Sequence, residues 1–274
     1  DDAFASYKNR SKAELQNMDL DPSSSFSDSI TSTLYSKHPR TLRIKADMVD
    51  KMNYDKILSM YQDRFKDASD FTFILVGNVD VEAVKPLIES YLGSLPSINR
   101  KETFKDNHIA MRKGICKNEF IRQQETPKVN NFICYSGTCK YNLRNEILMS
   151  MTDQLLNFIY TEKVREDEGG TYGVYPMGQL IKYPTEKAVL QIFFNTAPDK
   201  QEKLIKIIYD EAEAFAKNGP DEASLNKVKE YMLKKHSEDL KENGYWLNSI
   251  DEYLYTGIDP VKDYEQIINS IAPK

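Results

Sequence analysis

The strongest periodic signal in the chain lies between residues 142 and 166. Leu143, Ile147, Leu148, Met151, Leu155, Phe158 and Ile159 recur at three- and four-residue intervals. That spacing puts them on one stripe of a long amphipathic helix. Strand-like runs flank it: about 115–125 and 129–137 before it, 171–182 and 187–196 after it. The members of each pair are separated by turns, not by helices, whereas neighbouring parallel strands need a long crossover. The order predicts an α+β fold with mainly antiparallel sheets and helices packed on one face. Pro198 opens a further helix that runs to Gly219, and Pro220 opens the next, ending near Asn243–Gly244. Two more helical stretches fill 245–256 and 261–271.

The first hundred residues read differently. Residues 1–45 are polar, and "DPSSSFSDS" (21–29) has the composition of a loop. Within 50–66, Met52, Ile57, Met60, Tyr61 and Phe65 stand near helical spacing. "FTFILV" (71–76) is a continuous apolar run suited to a buried strand. Asp80 suits the cap of a short turn, and Pro86 suits the first residue of a helix that stops at Gly93. Residues 94–114 are rich in turn formers and charge, with little period, and read as a linker. With 274 residues, the length fits two domains. Residues 1–105 form the C-terminal part of one α+β domain on this reading, and 106–274 form the next. The opening "DDAF" has no initiator Met, so a piece of a longer protein is expected.

Several function classes are disfavoured. The formal net charge is −5 and no Lys/Arg-rich run is present, which gives no electrostatic basis for nucleic-acid binding. No apolar segment approaches the roughly 20 residues of a membrane-spanning helix. Cys134 and Cys139 read as small buried apolar residues, and with Cys116 they are too few for a disulfide scaffold. The three histidines, His38, His108 and His236, form neither H-E-x-x-H nor H-x-x-E-H, so no metal site built from this chain alone is expected. His236 stands one turn from Met232 and Leu240, which predicts a packed histidine. "GGTYG" (169–173) follows a helix and precedes a strand, the reverse of a phosphate loop. Glu166, Asp167 and Glu168 read as a solvated helix end. No nucleophile–base pair is visible.

One turn stands out. In "KVREDEGGTYGVY" (163–175), Arg165 closes the long helix and Tyr172 opens the following strand, with Gly169–Gly170 between them. Two readings stand side by side. In one, Arg165 complements the helix C-terminus for roughly 0.3–1 kcal/mol, a glycine supplies the C-cap, and Tyr172 is an ordinary strand aromatic. In the other, the turn brings guanidinium and phenol together as two donors to a carbonyl or carboxylate. The charged donor would then contribute roughly 1.5–3 kcal/mol.

Three stretches resemble a known family. "DFTFILVGNVDVEAVKPLIESYLGSLP" (70–96), "TEKVREDEGGTYGV" (161–174) and "GPDEASLNKVKEYMLKKHSEDLKENGYWL" (219–247) are similar, in order and spacing, to segments of the pitrilysin/insulinase zinc metallopeptidases. The resemblance runs from about Leu34 to the end. It implies α+β domains paired into two halves that close around a peptide. The N-terminal half carries the inverted H-x-x-E-H zinc motif. The C-terminal half lacks it and supplies an Arg and, seven residues later, a Tyr that reach the substrate. Arg165 and Tyr172 have that spacing, so the resemblance implies substrate binding by both. This chain lacks the zinc motif. It therefore resembles the C-terminal, non-zinc half of such an enzyme, with zinc held by the other half of the same or a partner chain. The alternative is a catalytically inactive peptide-binding or assembly subunit beside a separate zinc-bearing chain. The family's bacterial members imply export to the periplasm or cell envelope. The chain's end at "NSIAPK" implies a second domain without its last helix and strand.

Overall fold

The structure, a computed structural model, describes residues 2–166 and 173–273, without the side chains of residues 165 and 166. The chain divides into two units, Asp1–Phe73 with Val79–Gln124, and Ile74–Asn78 with Glu125–Lys274.

The first unit is helical among its described residues. Helices α1 (Asp2–Leu20), α2 (Pro22–Leu34) and α3 (Ala46–Val49) pack together, followed by α4 (Tyr54–Phe65) and α5 (Val81–Tyr91). The predicted loop at 21–29 is the start of α2. Asp21 accepts the N–H of Ser24 at 2.7 Å and Pro22 takes the first turn, so the "loop" residues are a helix cap. Arg43 and Lys45 bridge Asp19 and Asp28 at 2.6–2.8 Å, tying the chain after α2 back to α1 and α2. Helix α4 forms where the period predicted it, capped by Asn53, which accepts from Lys56 N at 2.8 Å.

Three expectations in this region need correction. Helix α5 begins at Val81, not Pro86, because Asp80 accepts the N–H groups of Glu82 and Ala83 at 3.0 and 3.1 Å and fixes the start upstream. Pro86 then sits inside the helix. Residues 71–76 are not a buried strand: no described strand pairs with them, and Phe73 and Leu75 are half exposed. Residues 115–125 are not a strand either. Lys117, Glu119 and Arg122 break the apolar alternation. Asn118 Nδ2 instead donates to the hydroxyls of Ser29 and Thr33 on α2 at 2.8 and 2.9 Å. The connecting segment is pinned by Asp67, whose buried carboxylate accepts the N–H groups of Ile98, Arg100 and Ser69 at 2.7–3.1 Å. Those bonds, led by that from Ile98, hold Asp67 well below the usual carboxylate range.

The second unit carries the antiparallel sheet. Strand β1 (Val129–Thr138) precedes α6 (Leu143–Tyr160), and β2 (Val174–Ile181) and β3 (Lys187–Thr196) follow it. The sheet order is β1-β3-β2, all antiparallel, with Ile133 opposite Ile192 and Val174 opposite Phe194. This agrees with the α+β expectation. Helix α6 lies on the sheet, close to β2: a Cβ on Gly178 would fall within 3 Å of Met149 and Asp153. Cys134 and Cys139 are half-buried rather than buried, and Cys116 is exposed. Helices α7 (Gln201–Asn218), α8 (Glu222–Asp239), α9 (Asn243–Thr256) and α10 (Tyr264–Ser270) complete the unit.

Helix α6 divides its buried side chains between two clusters. Leu156 and Tyr160 join Ile133, Ile192 and Phe194 of the sheet and Leu204 and Ile208 of α7. Ile147, Met151 and Leu155 join Leu225, Val228 and Met232 of α8 and Ile268 of α10. Each fully buried aliphatic side chain here contributes about 1.5–3 kcal/mol. Phe158 of the predicted stripe is half exposed, while Tyr160, outside it, is fully buried.

Candidate functional site

The helix α6 does not stop at Tyr160. It runs into a π-helical turn, Thr161–Glu166, which contains Arg165. The Arg165 side chain and all of Tyr172 lie outside the described residues, so the predicted convergence of guanidinium and phenol lies there too. The anchors on either side are described. Val164 is fully buried next to Arg165, and Val174, two residues beyond Tyr172, is buried in the same apolar cluster. The two ends of the turn are thereby held in one core.

A second feature was not read from the sequence. Helices α6, α8 and α9, with Tyr264 of α10, line an open cleft of about 870 Å³. Helix α9 borders it with an inverted face. Tyr245, Ser249, Glu252 and Thr256, spaced as one helical stripe, are the more buried residues, while Trp246, Ile250, Tyr253 and Leu254 face out. Polar contacts hold this inner face. The Tyr141 hydroxyl donates to Glu252 Oε1 at 3.1 Å, Tyr245 shares a 3.2 Å hydrogen bond with His236 Nδ1, and Lys182 donates to the Thr256 carbonyl.

Glu146 of α6 meets Glu252 across the cleft, with Tyr141 beside both. Burial raises Glu146 to about 7; the Tyr141 hydrogen bond opposes the rise, and Glu252 reinforces it. Burial and then Glu146 push the Tyr141 phenol up. At the other end, His236 is buried as its spacing predicted, stacked on Tyr264 with ring centroids 4.3 Å apart. Among the described residues, no group of three His, Cys, Asp or Glu side chains is placed to hold a metal ion. His108 is fully exposed beside Asp106, and His236 is engaged with two tyrosines, so these residues do not fit a zinc centre.

Comparison with known proteins decides the family. A family model described as the peptidase M16 inactive domain matches residues 51–232, well over half of the chain. The chain belongs to this family. It is 22% identical over 274 residues to a probable zinc protease PqqL of Escherichia coli (strain K12), a match covering 97% of this chain and 28% of that protein. It is 24% identical over 252 residues to a zinc protease PQQL-like of Arabidopsis thaliana, covering 84% and 25%. The crystal structure of the periplasmic protease PqqL from Escherichia coli has a TM-score of 0.80 to it at 19% identity, covering 99% of this chain and 30% of that one. The chain thus spans about a quarter to a third of the length of these relatives. No described helix is long and apolar enough to cross a membrane.

Proposed function

We propose that this M16 inactive domain is the zinc-free C-terminal half of a zinc metalloendopeptidase, forming part of the wall of a peptide-binding chamber. Residues 1–105 complete one α+β domain of that half and 106–274 belong to the next. The zinc and its bound water belong to the other half, in the same or a partner chain, and the parent enzyme is exported to the periplasm or cell envelope. Arg165 and Tyr172 bind the substrate, donating hydrogen bonds to the peptide carbonyl and to the charge that develops on it.

The observation that carries this reading is the anchoring of the turn. Val164 and Val174 share one buried cluster, so the chain must leave and re-enter the core within nine residues. Arg165 directly follows one of these anchors in sequence, and Tyr172 stands two residues before the other. The zinc-protease names of the relatives support the chemistry proposed for the parent enzyme, and the two buried anchors support a role for the turn between them.

The test uses the intact protein. Arg165→Ala and Tyr172→Phe are expected to lower peptide turnover by about 10²–10³-fold, the effect of losing one donor to a developing oxyanion, with zinc content unchanged. Unchanged cleavage in both variants would sink the assignment.

A further inference from the structure

We propose that the cleft between α6, α8 and α9 binds a basic side chain of a peptide, seating its ammonium or guanidinium group against Glu146 and Glu252. The proposal is separate from the role given to Arg165 and Tyr172.

Four observations converge on it. First, the cleft is of ligand size: about 870 Å³ falls within the roughly 300–1,000 Å³ of small-molecule sites. Second, two carboxyl groups from different helices are brought together there with no cation on them. Lys235 on the rim is paired with Asp239. Lys182 donates to the Thr256 carbonyl and lies 5.9 Å from the Tyr141 ring centroid. Neither forms an ion pair with Glu146 or Glu252 among the described residues. Two neighbouring carboxyl groups without a counter-charge cannot both ionise without electrostatic cost, and an arriving cation removes that cost.

Third, His236 is 5% exposed and lines the cleft. Its Nδ1 is taken by Tyr245, while Nε2 has no hydrogen-bond partner among the described residues. A buried imidazole with one free nitrogen gives a ligand a polar anchor beside the Tyr264 ring. Fourth, the two ends have a defined separation. Glu252 and Tyr245 stand seven residues apart on α9, about 10.5 Å at 1.5 Å per residue. An extended peptide covers that in about three residues. The site therefore fits a basic residue on the C-terminal side of a group that meets His236 and Tyr264, within a tripeptide length of it, the arrangement the test peptide has.

The experiment is calorimetric titration of the chain with acetyl-Tyr-Gly-Arg-amide and with the same peptide carrying citrulline, which keeps the shape of arginine and removes its charge. The arginine peptide is expected to bind at least tenfold more tightly. In the double variant Glu146→Gln/Glu252→Gln that preference is expected to vanish. Equal binding of the two peptides to the unmodified chain overturns the proposal, as does binding of neither at millimolar concentration. A preference unchanged in the double variant, with its near-ultraviolet circular dichroism intact, overturns it as well. The comparison of the two peptides needs no variant, so a folding defect cannot shield the proposal.

Discussion

Glu146→Gln is expected to stabilise the second unit at pH 8 and to leave it nearly unchanged at pH 4.5. The reasoning starts from the folded state. Burial first, and then Glu252, raise the Glu146 carboxyl from 4.5 to about 7, against the Tyr141 hydrogen bond. Between those two pH values the folded chain keeps a proton that the unfolded chain has released. Stability therefore falls as pH rises from 4.5 to 7 and levels off above 7. The interval from 4.5 to about 7 corresponds to about 3 kcal/mol at full strength. Glu146 is only half-buried, so solvent screening reduces this to about 1–2 kcal/mol. A glutamine cannot ionise and escapes the loss. The assay is urea unfolding followed by the fluorescence of Trp246, the chain's one tryptophan, which lies on α9 and donates its indole N–H to the Leu240 carbonyl at 2.9 Å. At a slope of about 2 kcal/mol per molar urea, the variant's midpoint is expected to exceed the parent's by about 0.5–1 M at pH 8. The same offset at both pH values, or none at either, would refute the reasoning.

Two further substitutions test the packing beneath the site. Gly178→Ala is expected to lower stability by about 1–3 kcal/mol, because the added methyl group meets Met149 and Asp153 where β2 runs under α6; a thermal midpoint equal to that of the parent would contradict this close approach. Leu156→Ala, at a side chain 1% exposed between the sheet and α7, is expected to cost about 2–5 kcal/mol, read as a shift of the urea midpoint.

What the sequence revealed depends on where each element's partners lie. In the second unit, the stripe of α6, the hairpin of β2 and β3 and the starts of α7 and α8 follow from local periods and turn residues. The neighbours that bury those faces are in the same unit, so local pattern and final burial agree. The run 71–76 has the composition of a strand, but no described strand pairs with it. Its apolar residues alone could not disclose that. Residues 21–29 failed for another reason. Serines and aspartate suit a loop and a helix N-terminus equally, and the choice was made by Asp21 accepting from Ser24. The pair Arg165 and Tyr172 was legible only as a spacing, and what the structure adds is the burial of Val164 and Val174 on either side.

Helix α9 shows why the cleft escaped notice altogether. Its period is plainly helical, and the usual inference assigns the apolar stripe to the core. The structure turns that assignment around. Trp246, Ile250, Tyr253 and Leu254 face outward, while Tyr245, Ser249, Glu252 and Thr256 face in. The cause lies outside the helix. Tyr141, Lys182 and His236 come from a loop, a strand end and another helix, and each engages one residue on the polar stripe. Three such bonds, each worth about 1 kcal/mol net, orient α9 against its own hydrophobic preference. A helix held this way leaves space between polar groups where an apolar interface would have closed it. The cleft, its carboxyl pair and the exposed aromatic stripe are therefore consequences of one orientation, set by residues 9 to 111 positions away in the chain.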